Sequence, residues 1–302
     1  MFYPHPDSRN PSVGRATWFL AALSGLLLIA GCSMIRLGYG QADTLAAWMA
    51  DEYFDIDSRQ KDEFLSRFER LYEWHRYEQL PEYAIFLGTA KNRLQSGLRR
   101  EDVIWFIEGL KTRYRLIASR GAGDAAEILA TLTPAQLNVL QRQWAKVNLK
   151  FIREYQLEET PQEQQRAQAK RMLSRSEDWA GSLSHEQEQK IIALCDKLPL
   201  TDRLRHEDRL RRQREFLRLL ELRGNPGEFT PRLRHWLLNW EEGRSLEHAR
   251  QYAQRLEKQM QFMIDVYGLL TPPQRAHVQH RLQDYIEDFR KLSERGGHTA
   301  AR

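Results

Sequence analysis

Residues 132–151 read LTPAQLNVLQRQWAKVNLKF. Their apolar side chains, Leu137, Leu140, Trp144, Val147 and Phe151, recur three and four residues apart in alternation. That spacing puts them on one face of an α-helix, close to the heptad of a packed helical seam. The stretch also begins as a helix should. Thr133 stands before Pro134, at a first helical position where the missing proline N–H costs nothing, and Gln136 follows three residues after the cap.

Outward from this segment the same periodicity continues. A second seam is spelled by Leu246, Ala249, Ala253, Leu256, Met260, Met263 and Tyr267. Asp57 precedes a helix carrying Phe64, Leu65, Phe68, Leu71, Tyr72 and His75, which places that histidine on the buried stripe. Asp43 precedes a shorter one with Leu45, Trp48 and Met49. Thr160-Pro161, Thr230-Pro231 and Thr271-Pro272 repeat the Thr-Pro helix start, and Gly121–Gly123, Trp179–Gly181 and Gly224–Gly227 are the expected breaks. No run keeps period two for long. The expected fold class is all-α, an elongated set of helical hairpins or a bundle.

The chain has 302 residues, 29% charged and 10% aromatic, with 2 Cys. Such a composition can build a core, and it excludes a disordered, collagenous or disulfide-stapled chain. The formal net charge is +5, with acids and bases interleaved throughout. No one-signed field of the kind a nucleic-acid binder carries is visible, so nucleic acid is not an expected partner.

At the N-terminus a polar stretch with Arg9 and Arg15 precedes ATWFLAALSGLLLIA at residues 16–30, then Gly31 and Cys32. A basic region followed by a short apolar one reads as a secretory signal, too short for the roughly 20 residues of a membrane span. Ile29-Ala30-Gly31-Cys32 matches a bacterial lipobox, which makes Cys32 the expected lipidation site and residues 1–31 a cleaved signal peptide. Acyl chains on Cys32 would hold the protein on a membrane it does not cross. Ser33, where Asp would signal inner-membrane retention, points to the periplasmic face of the outer membrane. The remaining thiol, Cys195, lies among Ile191, Ile192, Ala193 and Leu194 and reads as a small core residue.

A duplication is legible in the rest. Asp57 to Gln60, Leu80-Pro81, Trp105 and Thr133 to Gln136 find counterparts, in order, in Ser184 to Gln187, Leu198-Pro199, Trp236 and Thr271 to Gln274. The expected organisation is a lipid-anchored linker at 32–41, an N-terminal helical half at 42–157, a connecting segment at 158–183, a C-terminal helical half at 184–294 and a disordered tail at 295–302. Its recurring element is a capping box, in which the cap oxygen accepts from the third amide of the helix and the Gln side chain returns to the cap's own N–H. Asp57, Gln60, Thr133, Gln136, Ser184, Gln187, Thr271 and Gln274 are therefore read as structural helix caps.

Two resemblances follow from these residues. Leu132 to Gln136 and Leu270 to Gln274 are similar to the Leu-Thr-x-x-Gln motifs of the periplasmic helical chaperones typified by spheroplast protein Y. That likeness implies a helical cradle for unfolded polypeptide clients. A broader one runs through Cys32-Ser33, Arg36 to Tyr39, Ala42 to Leu45, Tyr53 to Asp57, Gln60, Trp74-His75-Arg76 and Leu80-Pro81-x-Tyr83. This pattern resembles the proteobacterial lipoproteins grouped as domain of unknown function 6279, which implies a lipoprotein and supplies no reaction.

No nucleophile elbow, phosphate loop or paired-Cys metal site is present in the sequence, so no enzyme activity, catalytic residue, cofactor or metal is expected. His277, His280 and Asp284 share one helix face, where a solvated surface is the commoner reading than a metal site. Arg203, Arg211, Arg214 and Arg218 form a stripe that would meet phosphates of lipopolysaccharide or an acidic client, with Glu207, Asp208 and Glu215 within or beside it. His75, with Trp74 and Arg76, reads as a satisfied core histidine. The expected function is that of a lipid-anchored periplasmic helical binding protein, chaperone-like or related to envelope stress, contacting polypeptide clients or envelope proteins. The alternatives are a structural adaptor of an envelope complex or a lipopolysaccharide-contacting protein, and remotely a hydrolase.

Overall fold

The computed structural model describes residues 33–294, so the signal peptide, Cys32 and the tail at 295–302 lie outside the described residues. The chain divides into two units after Ala42. In the first, the segment expected as a linker forms a short helix, α1 (Ser33–Gly40), with Leu37 exposed.

Every regular element among the described residues of the second unit is a helix, with no strand. It runs through α2 (Ala42–Phe54), α3 (Ser58–Trp74), a π-helical turn (His75–Gln79), α4 (Leu80–Leu94), α5 (Arg100–Ala130) and α6 (Pro134–Glu154). It continues with α7 (Pro161–Ala180), α8 (His185–Cys195), α9 (Asp202–Glu221), α10 (Pro226–Leu238), α11 (Leu246–Leu269) and α12 (Pro272–Ser293). The all-α class stands. Among the described residues no helix is long and apolar enough to cross a membrane.

Pro81 explains the π turn. A proline inside a helix lacks the N–H for the residue four back and its ring strikes that carbonyl, here Tyr77. The helix widens just before it, and Leu80 N–H donates to His75 O, five residues back. The turn lets α3 and α4 run on as one rod. Trp74, His75 and Arg76 therefore sit at a built irregularity: Arg120 lies over Trp74, the half-buried His75 ring meets Tyr83 edge-on at 5.3 Å, and Arg76 Nε donates to Leu292 O at 2.6 Å. Burial holds the His75 imidazole below its ordinary pKa.

Two expected boundaries are wrong for packing reasons. Gly121–Gly123 lie inside α5, not at a break. A Cβ on Gly121 would come within 3.3 Å of Leu71 Cδ2, and Ala122 is fully buried, so these small residues let α3 approach α5 closely. Thr230-Pro231 does not start a helix either: α10 begins at Pro226 and Pro231 lies inside it. Phe229 and Leu233, both fully buried, demand helix on either side of that proline. Thr133, Thr160 and Thr271 do cap helices, and Gly181, at φ 78°, ends α7.

The second seam closes only in part. Met260 and Tyr267 are buried beside Phe262 and Val266, whereas Leu246, Ala249, Ala253 and Met263 are exposed. Cys195 is fully buried with Ala169, Ile191, Leu198, Phe262 and Val266, and burial pushes its thiol up to about 12.

Segments from the two sequence halves interleave. α12 packs along α4 and α10 along α5, while α9 meets α6. One core cluster joins Ala126 and Leu140 to Phe216, Leu220, Phe229 and Leu233. The connecting segment 158–183 is mostly α7, which packs on α8 and α12.

Candidate functional site

The four capping boxes form as their sequences predict. Asp57, Thr133 and Ser184 accept from the backbone N–H of Gln60, Gln136 and Gln187, and each Gln oxygen accepts from its cap's N–H at 2.9–3.1 Å. Thr271 N–H donates to Gln274 Oε1 at 3.0 Å. What the sequence did not reveal is that the glutamines meet two by two. Gln60 Nε2 donates to Gln136 Oε1 at 3.2 Å and Gln136 Nε2 to Gln60 Oε1 at 2.6 Å. Gln187 and Gln274 do the same at 2.8 and 3.0 Å.

Each glutamine amide also reaches the backbone of the opposite motif. Gln60 donates to Thr131 O, Gln136 to Asp55 O, Gln187 to Leu269 O and Gln274 to Ser182 O. In every case the acceptor lies two residues before the partner's cap. An identical clasp built twice from four separate segments is a structural repeat. The tryptophans support it: Trp105 lies against Phe86 at 4.7 Å with Arg93 over its ring, and Trp236 against Phe216 at 5.0 Å with Arg212 over its ring. Gln60, Gln136 and Gln187 are buried and Gln274 is partly so, and the amides are taken up in bonds within each clasp.

The arginine stripe does not survive as one surface. Arg211 is mostly buried, paired with Asp208 at 2.7 Å and Glu215 at 2.6 Å, and donates to Glu242 O and Trp240 O. It locks the loop before α11 onto α9. Arg203 Nη2 donates to Leu157 O at 2.5 Å. Arg214 and Arg218 are exposed. Asp208 is also held by Arg244; although burial alone would raise its carboxyl pKa, the two guanidiniums hold it below the ordinary range.

On the other side of α9 lies a small open cleft between α7, α9 and α11. Arg171, Arg175, Arg205 and Arg255 line it with Asp202 and Tyr155. Arg171 and Arg205 pair with Asp202 at 3.0 and 2.7 Å and stack over Tyr155 at 4.7 and 4.9 Å. The reading of α9 as a single stripe missed this group, because its members come from three helices.

The remaining candidates stay apart. His280 Nδ1 lies 3.1 Å from Asp284 Oδ2, while His277 is an exposed residue beside Gly181. No group of three His, Cys, Asp or Glu suited to a metal ion is found among the described residues.

A family model, the family of unknown function DUF6279, matches residues 52–246, more than half of the chain. The chain belongs to that family. The DUF6279 match takes in the first three capping motifs, the π turn and the whole of α9, and stops at the first residue of α11. No curated protein and no solved structure matches the chain.

Proposed function

We propose that this chain is a lipid-anchored protein of the periplasmic face of the outer membrane that binds polypeptide clients in a chaperone-like way and acts without catalysis. The lipobox pattern Ile29 to Cys32 supports the anchor, and Cys32 is the acylated residue in this reading. The observation that carries client binding is the double glutamine clasp. It builds Leu-Thr-x-x-Gln helix starts, the motif of periplasmic helical chaperones, into a repeated scaffold. Large apolar side chains left exposed on that scaffold, among them Trp48, Ile85, Leu149 and Leu246, supply contact surface for unfolded segments.

The test uses the full chain. Thermal aggregation of citrate synthase should be suppressed at equimolar ratio, and a chain that leaves light scattering unchanged at several-fold excess defeats the chaperone reading. Wild type should incorporate palmitate and Cys32→Ala should not. Membrane fractionation of wild type without acyl label would remove the anchor.

A further inference from the structure

We propose that the cleft between α7, α9 and α11 is a binding site for a phosphate group, carried by a soluble ester or by a lipid headgroup. Four arginines line it, Arg171, Arg175, Arg205 and Arg255, against the single carboxylate of Asp202. That carboxylate is already spent: Arg205 Nη1 holds one oxygen and Arg171 Nη2 the other. Neither Arg175 nor Arg255 has an ion pair or hydrogen bond among the described residues.

Arg255 is half-buried in this position. Burial first, and then the neighbouring positive charge of Arg205, work against its charged form. Asp202 offsets this only from a distance; a desolvated cation with no carboxylate bonded to it is costly, and an incoming anion supplies the direct partner. The excess of three positive charges after Asp202 favours a phosphate dianion over a single carboxylate. Guanidinium forks approaching from three helices suit a group with several oxygens. Tyr155 holds Arg171 and Arg205 in stacked positions, so little side-chain freedom is lost when a ligand arrives. The site does not depend on client binding.

The full chain in dodecyl maltoside is titrated calorimetrically with inorganic phosphate, with acetate at matched ionic strength, and with maltoside micelles carrying phosphatidic acid. Saturable binding of a phosphate probe that acetate does not reproduce is expected, weakened about tenfold by Arg255→Gln and by Arg175→Gln. Arg175 is exposed and holds nothing in the fold, so its variant separates loss of the site from loss of structure. Tighter binding of phosphatidic acid micelles than of inorganic phosphate assigns the group to a lipid; equal or weaker binding assigns it to a soluble ester. Absence of saturable binding to both probes, or wild-type binding by Arg175→Gln, overturns the proposal.

Discussion

Gln60 and Gln136, 76 residues apart in sequence, each donate an amide hydrogen to the other's side-chain oxygen and a second to the backbone ahead of the other's helix. Removing either amide leaves a buried carbonyl and a buried partner unsatisfied, a loss of about 1–3 kcal/mol. Gln60→Ala and Gln136→Ala should each lower stability by that order in urea denaturation. The double variant should cost less than the two losses added, because the second substitution removes a group the first already orphaned. Strict additivity would mean the two side chains do not cooperate.

Arg211 and the exposed pair Arg214 and Arg218 should behave differently although they share one helix face. Arg211→Gln breaks two partly buried ion pairs and two bonds to the loop before α11, so a loss of about 1–3 kcal/mol is expected. Arg214→Gln with Arg218→Gln should leave the melting temperature within error. A thermal melt of both variants decides the point.

Gly109 admits no side chain. A Cβ there would lie 2.3 Å from Phe86 Cε2, and Phe86 is buried between Trp105 and Arg113. Gly109→Ala should destabilise by about 1–3 kcal/mol through overpacking. Gly123→Ala, with open space around it, should be neutral or slightly stabilising.

Acid should weaken the fold in two stages. Burial lowers the pKa of His75 and of His206, so both are held neutral in the folded chain. Their contribution is complete above the unfolded histidine value of about 6.5 and is lost as pH falls through the lower folded values. Asp102 and Asp208 are held below their ordinary range: burial alone would raise them, but Arg93 with Arg99, and Arg244 with Arg211, outweigh it. Their contribution is present above about 4 and is lost below it. Melting temperature against pH should therefore fall first as pH drops below about 6.5, and His75→Gln should flatten that first fall.

Cys195 should be inert. In a Cys32→Ala background it is the one thiol of the chain, and its burial and raised pKa should stop Ellman's reagent until denaturant is added. Reaction in the native protein at the unfolded rate would contradict the packing of α8 against α11.

Helix starts were legible because a capping box is a local device, closed within four residues. The pairing of the boxes was not, since it needs segments 76 and 87 residues apart to meet, although the fourfold recurrence of the motif was its trace. Gly121–Gly123 read as a break because glycine's low helix propensity is visible in sequence, while the approach of Leu71 that calls for small residues is not. Thr230-Pro231 misled in the same way, with burial of Phe229 and Leu233 overriding the local signal. The arginine cleft was hidden because Arg171, Arg205 and Arg255 converge from three helices, and only one of those had drawn notice as basic.

The interleaving of α4 with α12 and of α6 with α9 has a consequence for how the chain holds together. Ala126 and Leu140 of the first repeat are closed over by Phe216, Leu220, Phe229 and Leu233 of the second, so a solitary first copy would leave that face wet and the second copy must supply the missing wall. The polypeptide thus behaves as a pair of subunits on one tether. The few residues between Glu154 and Pro161 replace a concentration-dependent encounter with a local concentration on the order of millimolar. Stability of this unit is consequently independent of how sparsely the protein is spread in its compartment.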